Sequence, residues 1–335
     1  MHSQIAKEKL AFSNDQVFPQ FAVLDPETTF SLPKLQIANG IVDAFCHVIE
    51  QYLTYPVNAN LQDRFAESIM RRIILQGGFL NTKYAVNLGS DFKTSSTVEE
   101  PNIKAFDNAK YTQSLATGVT TASPSNGING SDLLIVRYQS GDTNSGAPAS
   151  APANQTMINC SGGTVPDAFD GTERMASVFH INTSATTGEP TLMCSFNSFS
   201  SGAWTWSTQP LIDGVETLQI LYGVDGVTAG AAPTASKTII PVQYLRANQL
   251  IVSGNEPATI ANWKRVRTIR VGMVLRGPPG SAPEQNVPAQ YPLGTASMPL
   301  SVTGDTGSTL AAQTDGRLRQ TVTFTVHLRN PQDNI

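Results

Sequence analysis

With 335 residues, the chain can hold one large domain or two ordinary ones. Its formal net charge is −4 and only 14% of its residues are charged, against about 25% in an average soluble domain. No basic patch argues for nucleic acid, no apolar run approaches the ~20 residues that span a bilayer, and no signal peptide is evident.

The chain opens with a short apolar strand over residues 21–24, stopped by Asp25-Pro26. From 37 to 52 the apolar residues Ile37, Ile41, Val42, Phe45, Val48, Ile49 and Tyr52 recur at three and four, which predicts a helix. Asp43 and His47 lie four apart within it, so a carboxylate and an imidazole share one helix face. Two such ligands can start a divalent site but not close one, because most catalytic sites take three or more protein ligands. The later histidines, His180 and His327, sit in strand-like surroundings and read as ordinary strand residues, and His2 is too close to the terminus to be a good ligand.

A second helix is predicted over 60–76, with Leu61, Phe65, Ile69, Ile73 and Met70 on one side and Arg64, Glu67, Arg71 and Arg72 toward the other. Gly77-Gly78 stops it. After Gly78 the texture changes. Residues 81–130 are polar and helix-poor, and strand-like runs follow at 132–138, 176–181, 191–196, 215–222, 267–275 and 320–328. The last alternates, with Val322, Phe324, Val326 and Leu328 on one face and Thr321, Thr323, Thr325 and His327 on the other. Asp213-Gly214 and Asp225-Gly226 are turn signals. The run 263–270 reads as an alternating strand with one wet face, and Arg265, Arg267, Arg270 and Arg276 fit that face or strand ends. Long loops rich in Gly, Ala, Ser and Pro cover 141–155 and 226–236. The expected architecture is α+β, a largely antiparallel sheet packed on the 60–76 helix.

Two readings of the three cysteines stand. All are free thiols, or Cys160 and Cys194 form a disulfide and Cys46 is left over. A bridge requires an oxidising compartment.

The run Phe18-Pro19-Gln20-Phe21-Ala22-Val23-Leu24-Asp25-Pro26, then Thr29-Phe30-Ser31-Leu32-Pro33 and the helix from Asn39 to Tyr52, resembles iron-containing alcohol dehydrogenases, best the NADP-linked butanol and aldehyde reductase branch. The resemblance implies that Asp43 and His47 are two metal ligands. The two remaining histidine ligands and the glycine-rich nucleotide loop have no match here, so the site is expected to be incomplete and empty. Divalent metal and NADP enter only if the chain is an active dehydrogenase.

From Arg64 onward the chain resembles PilW-type minor pilins of type IV pili. The likeness rests on Ala66-Glu67-Ser68-Ile69-Met70-Arg71-Arg72-Ile73-Ile74-Leu75-Gln76-Gly77-Gly78-Phe79, on Gly130-Ser131-Asp132-Leu133-Leu134-Ile135-Val136-Arg137-Tyr138, on the run from Leu211 to Asp225, on Val242-Gln243-Tyr244, on the run from Trp263 to Arg276 and on the closing strand. It implies a pilin-like head over 61–335 behind a dehydrogenase fragment over 1–60, joined within a helix. It further implies a structural role with no catalytic residues and no cofactor, and other minor pilins and pilus assembly proteins as partners if the chain is exported. Its place would be cytoplasmic as written, or the inner membrane, periplasm or pilus of the parent pilins.

Overall fold

The computed structural model describes residues 60–79, 100–117, 124–139, 157–163, 174–200, 203–235, 240–294 and 305–330. The 21–24 strand, the 37–52 helix, Asp43, His47, Cys46 and His2 lie outside them, as does the 141–155 loop. All of the described residues fall within one compact unit, Pro56–Ile335.

Helix α1, Asn60–Gln76, opens this unit. Its first sheet contains β1 (Ile103–Phe106), β2 (Leu133–Tyr138), β3 (Met175–Thr183), β4 (Pro190–Ser200) and β5 (Ala203–Asp213), an antiparallel meander in sequence order. The second has the order β7-β6-β8-β9, from β6 (Val215–Val224), β7 (Gln243–Leu245), β8 (Val266–Arg276) and β9 (Arg319–His327), again all antiparallel. Two short α-helices, α2 (Gln113–Ala116) and α3 (Glu256–Trp263), and two single 3-10 turns, Ile128–Gly130 and Asn248–Leu250, complete the described elements. The architecture is α+β, and the strands expected from alternation are present to within a few residues of their expected ends.

The chain passes from the first sheet to the second at Asp213-Gly214. Gly214 has φ +84°, and a Cβ there would lie 2.7 Å from the Arg276 carbonyl, so only glycine fits this corner. Its N–H donates to Pro190 O and its carbonyl accepts from Arg276 N, both at 2.8 Å, tying the corner to both sheets.

The core lies between α1 and both sheets. Ala66, Met70, Ile73 and Ile74 of α1 are buried with Val136 and Phe179 of the first sheet and Ile220 and Val271 of the second. The i, i+4, i+7 spacing of Ala66, Met70 and Ile73 makes this stripe. Ile69 packs only partly against the core, so the buried stripe runs through Met70 rather than Ile69. Arg71 fastens the helix to β9. It donates to Thr325 O at 3.0 Å, and its guanidinium lies 4.8 Å from the Phe324 ring centre. The helix stops after Gln76, where Gly78 takes φ +75°, and the Asn330 amide donates to Gly77 O at 3.1 Å.

Two elements departed from the sequence reading. The strand β5 occupies a Ser-, Thr- and Trp-rich run with Pro210 inside it. Proline is tolerated because β5 is an edge strand, where a missing N–H breaks no ladder bond. Trp263 ends α3 and the following strand begins only at Val266. Arg265 takes the second of its two expected places, the strand end just before β8, and is buried there at 7% exposure beside Asp225 at 3.7 Å.

Candidate functional site

The segment 157–163 is sewn to the core. The Gln76 side-chain amide donates to Ile158 O at 2.8 Å and accepts from Ile158 N at 3.2 Å. Tyr138 Oη also donates to Ile158 O, and Ser177 Oγ accepts from Cys160 N at 3.1 Å. A disulfide joins Cys160 to Cys194 of β4, with Cα atoms 5.8 Å apart and both residues buried. Of the two readings of the cysteines, the structure holds the bridged one. Three β-strands and a helix therefore meet at one covalent pin.

On the other side of the first sheet, His180 of β3, Ser195 of β4 and Thr208 of β5 form a row. His180 Nε2 is 2.9 Å from Ser195 Oγ, which is 2.7 Å from Thr208 Oγ1. The Tyr111 ring stacks on the imidazole with centroids 4.5 Å apart. A serine beside a histidine invites comparison with a nucleophile and its base. Here the arrangement is structural. His180 is 1% exposed, Ser195 is fully buried, and no hydrogen-bond partner orients Nδ1 among the described residues. Burial pushes the imidazole down to about 4, so it is a neutral strand residue at physiological pH. His327 is exposed near the end of β9.

Charge is concentrated where the two sheets join. Glu189, in the β3–β4 turn, accepts from Arg276 of β8 at 2.5 Å and from Arg317 at 2.8 Å. Glu216 of β6 accepts from Arg276 at 3.1 Å and from Arg319 of β9 at 2.6 Å. Asp315 closes on Arg319 at 2.8 Å. The Arg317 hydrogen bonds, then those of Arg276, hold the Glu189 carboxyl down to about 2. This network is a rivet and presents no vacant charge. The sequence showed its members separately, but their separations of up to 128 residues hid the pairing.

A second seam runs along β6. Ser131 Oγ accepts from Leu218 N, Asp132 N donates to Leu218 O at 2.7 Å, and Asp132 Oδ2 accepts from Ile220 N at 2.8 Å. The turn at 129–132 thus fills the stretch of β6 that three-residue β7 leaves open. Burial, and then the nearby Asp107, raise the Asp132 carboxyl well above its usual range.

Among the described residues no group of three or more His, Cys, Asp or Glu side chains is arranged to hold a metal, and no helix is long and apolar enough to cross a membrane. Asp43 and His47, the pair expected from sequence to be an incomplete and empty metal site, lie outside them.

A family model described as Type IV Pilus-assembly protein W matches residues 178–330. An N-terminal stretch matches iron-containing alcohol dehydrogenases. It is 56% identical over 70 residues to the NADPH-dependent aldehyde reductase YqhD of Escherichia coli, covering 21% of this chain and 18% of that protein. It is 44% identical over 68 residues to a probable NADH-dependent butanol dehydrogenase 1 of Bacillus subtilis, covering 20% and 18%. The chain therefore spans about 18% of the length of these relatives. Among solved structures, the type IV-like pilin TTHA1219 from Thermus thermophilus aligns over 82% of this chain and 100% of that one, at 15% identity and a TM-score of 0.39.

Proposed function

We propose that the described part of the chain is the head of a minor-pilin-like structural subunit of a type IV pilus, carried behind a dehydrogenase fragment over 1–60. The observation that carries this reading is the match of residues 178–330 to the pilus-assembly family. The construction of the site is consistent with it. Buried polar groups are spent on joining strands, through the Cys160–Cys194 bridge and the Glu216–Arg319 pair, and the Ser195–His180 pair is closed to substrate. Its partners are other minor pilins and pilus assembly proteins, met by surface contact, and it carries no resident cofactor.

Cross-linking of the tagged chain in a piliated host, followed by mass spectrometry, tests this. Pilus subunits joined to residues of the head are expected. The 56% identity over 70 residues gives the competing reading, a metal-dependent NADP-linked reductase. Metal-dependent turnover of an aldehyde with NADPH, lost in His47→Ala, would replace the structural reading with that one.

A further inference from the structure

The segment leading into β2 holds two asparagine–glycine steps, Asn126-Gly127 and Asn129-Gly130. Such a step carries a latent reaction. The glycine nitrogen attacks Cγ of the preceding asparagine, an approach that no Cβ shields. A bond forms from that nitrogen to Cγ, the bond from Cγ to Nδ2 breaks, and ammonia leaves. Solvent hydroxide takes the amide proton, and water returns one to the departing ammonia. A second water then opens the cyclic imide at either carbonyl, which leaves aspartate or iso-aspartate. Nothing is oxidised or reduced.

The fold treats the two steps differently. Asn129 is turned onto the second sheet. Its backbone is left-handed, with φ +51°, and its side-chain amide donates to Glu216 O of β6 at 3.0 Å. Gly130 is buried, and its N–H donates to Gly127 O at 3.2 Å. Ring closure at this step has to give up the Glu216 bond and bring hydroxide to a buried nitrogen.

Asn126 is exposed and Gly127 half-buried, and Asn126 Nδ2 has no hydrogen-bond partner among the described residues. Gly127 N–H donates to Asn108 Oδ1 at 3.0 Å, and Asn108 Nδ2 donates to Asn126 Oδ1 at 3.2 Å. A backbone N–H only donates, so the first bond fixes which way round the Asn108 amide lies. Its Nδ2 then faces the oxygen on which negative charge develops as the ring closes. One side chain thus holds the attacking nitrogen and the attacked carbonyl together. The Gly127 proton is held by a half-buried side chain, which a rotamer change releases, whereas that of Gly130 is held by backbone inside the turn.

We infer that Asn126 is a site of self-modification, at which the folded protein and water convert asparagine to aspartate or iso-aspartate, and that Asn129 is spared. The product matters to its surroundings. Gly127 is seated where a Cβ would collide with Ser131 O, and the extra main-chain carbon of iso-aspartate displaces it from that seat. The seat adjoins Asp132, whose N–H bonds to β6, and the new carboxylate adds charge to a turn that already holds Asp107 and Asp132. The inference does not depend on which assembly the chain joins.

Ageing of the full chain at pH 8 in oxygen-18 water, with peptide mapping at intervals, tests it. Labelling by an isoaspartyl methyltransferase counts the iso-aspartate. The same chain in guanidinium supplies the reference rate for each step, since glycine follows both asparagines and no fold protects either. In the folded protein Asn126 should retain about tenfold more of its reference rate than Asn129 does, the factor that one kept hydrogen bond holds back. Two results overturn the inference. One is equal retention at the two steps. The other is a folded protein in which Asn126 stays intact while the unfolded chain converts, which would make the Asn108 bridge a protection.

Discussion

Arg319 of β9 grips Glu216 of β6 across the intervening strand β8, with Nε to Oε2 at 2.6 Å and Nη2 to Oε1 at 2.9 Å. Their side chains are 1% and 5% exposed, so the pair is screened from solvent and its geometry decides its worth. Breaking a buried pair from one side strands a charge, which costs about 3–5 kcal/mol. Arg319→Met and Glu216→Leu should each fall in that range by urea unfolding at pH 7. The double replacement should cost clearly less than their sum. Additive losses would show that the two side chains act independently.

The bridge between Cys160 and Cys194 leads to a second expectation. Replacing both by alanine should cost about 2–4 kcal/mol under oxidising conditions. The same loss should appear in the parent protein on reduction, and no further loss in the variant. Of three cysteines, one should titrate in denaturant without reductant, and all three with it.

His180 predicts a slope of stability with pH. Its folded-state value is about 4 and the ordinary value is 6.5, so between these limits the unfolded chain holds the proton and the folded one does not. Stability from this site is therefore present above 6.5 and is lost as pH falls toward 4. His180→Gln should remove that part of the slope. An NMR titration with a ring midpoint near 6.5 would contradict the buried, neutral assignment.

Asp132 has the opposite sign. Its folded-state value is raised, so the folded protein holds the proton more tightly than the unfolded chain. Its contribution is present below about 4 and is lost as pH rises from there through the raised value. Both carboxyl oxygens accept from backbone N–H groups, of Asn108 at 3.0 Å and Ile220 at 2.8 Å. Asp132→Asn turns one acceptor into a donor and should cost about 1–3 kcal/mol at pH 4. That cost should shrink as the pH is raised, since the parent protein alone bears the burden of the buried charge. A cost that grows with pH would refute the assignment.

Much of the fold was legible because its strands obey one rule. Residues Val322, Phe324 and Val326 alternate with threonines, and Phe324 and Val326 are buried as that alternation requires. The helix end at Gly77-Gly78 was legible for a similar reason, since local backbone chemistry sets it. Strand β5 was hidden because an edge strand with an exposed face needs no apolar period, and its proline argued against it. Arg265 stands at a strand end, one of the places expected for it, but its burial was hidden because a buried arginine is explained only by its partner, and Asp225 lies forty residues earlier in the chain. The row of His180, Ser195 and Thr208 depends on register between three strands, which no local spacing encodes.

The Arg71 hydrogen bond to Thr325 spans 254 residues, and the helix it anchors stands ahead of every strand it packs on. During synthesis α1 leaves the ribosome before any of these strands, while its seat on β9 is made last. Nascent chains therefore carry Met70, Ile73 and Ile74 without their final neighbours until translation is nearly complete. Contacts of such separation also slow folding after release, because the chain must close its longest loop before that docking gives any return. Refolding should accordingly show the strands of the first sheet protected from hydrogen exchange before α1 is.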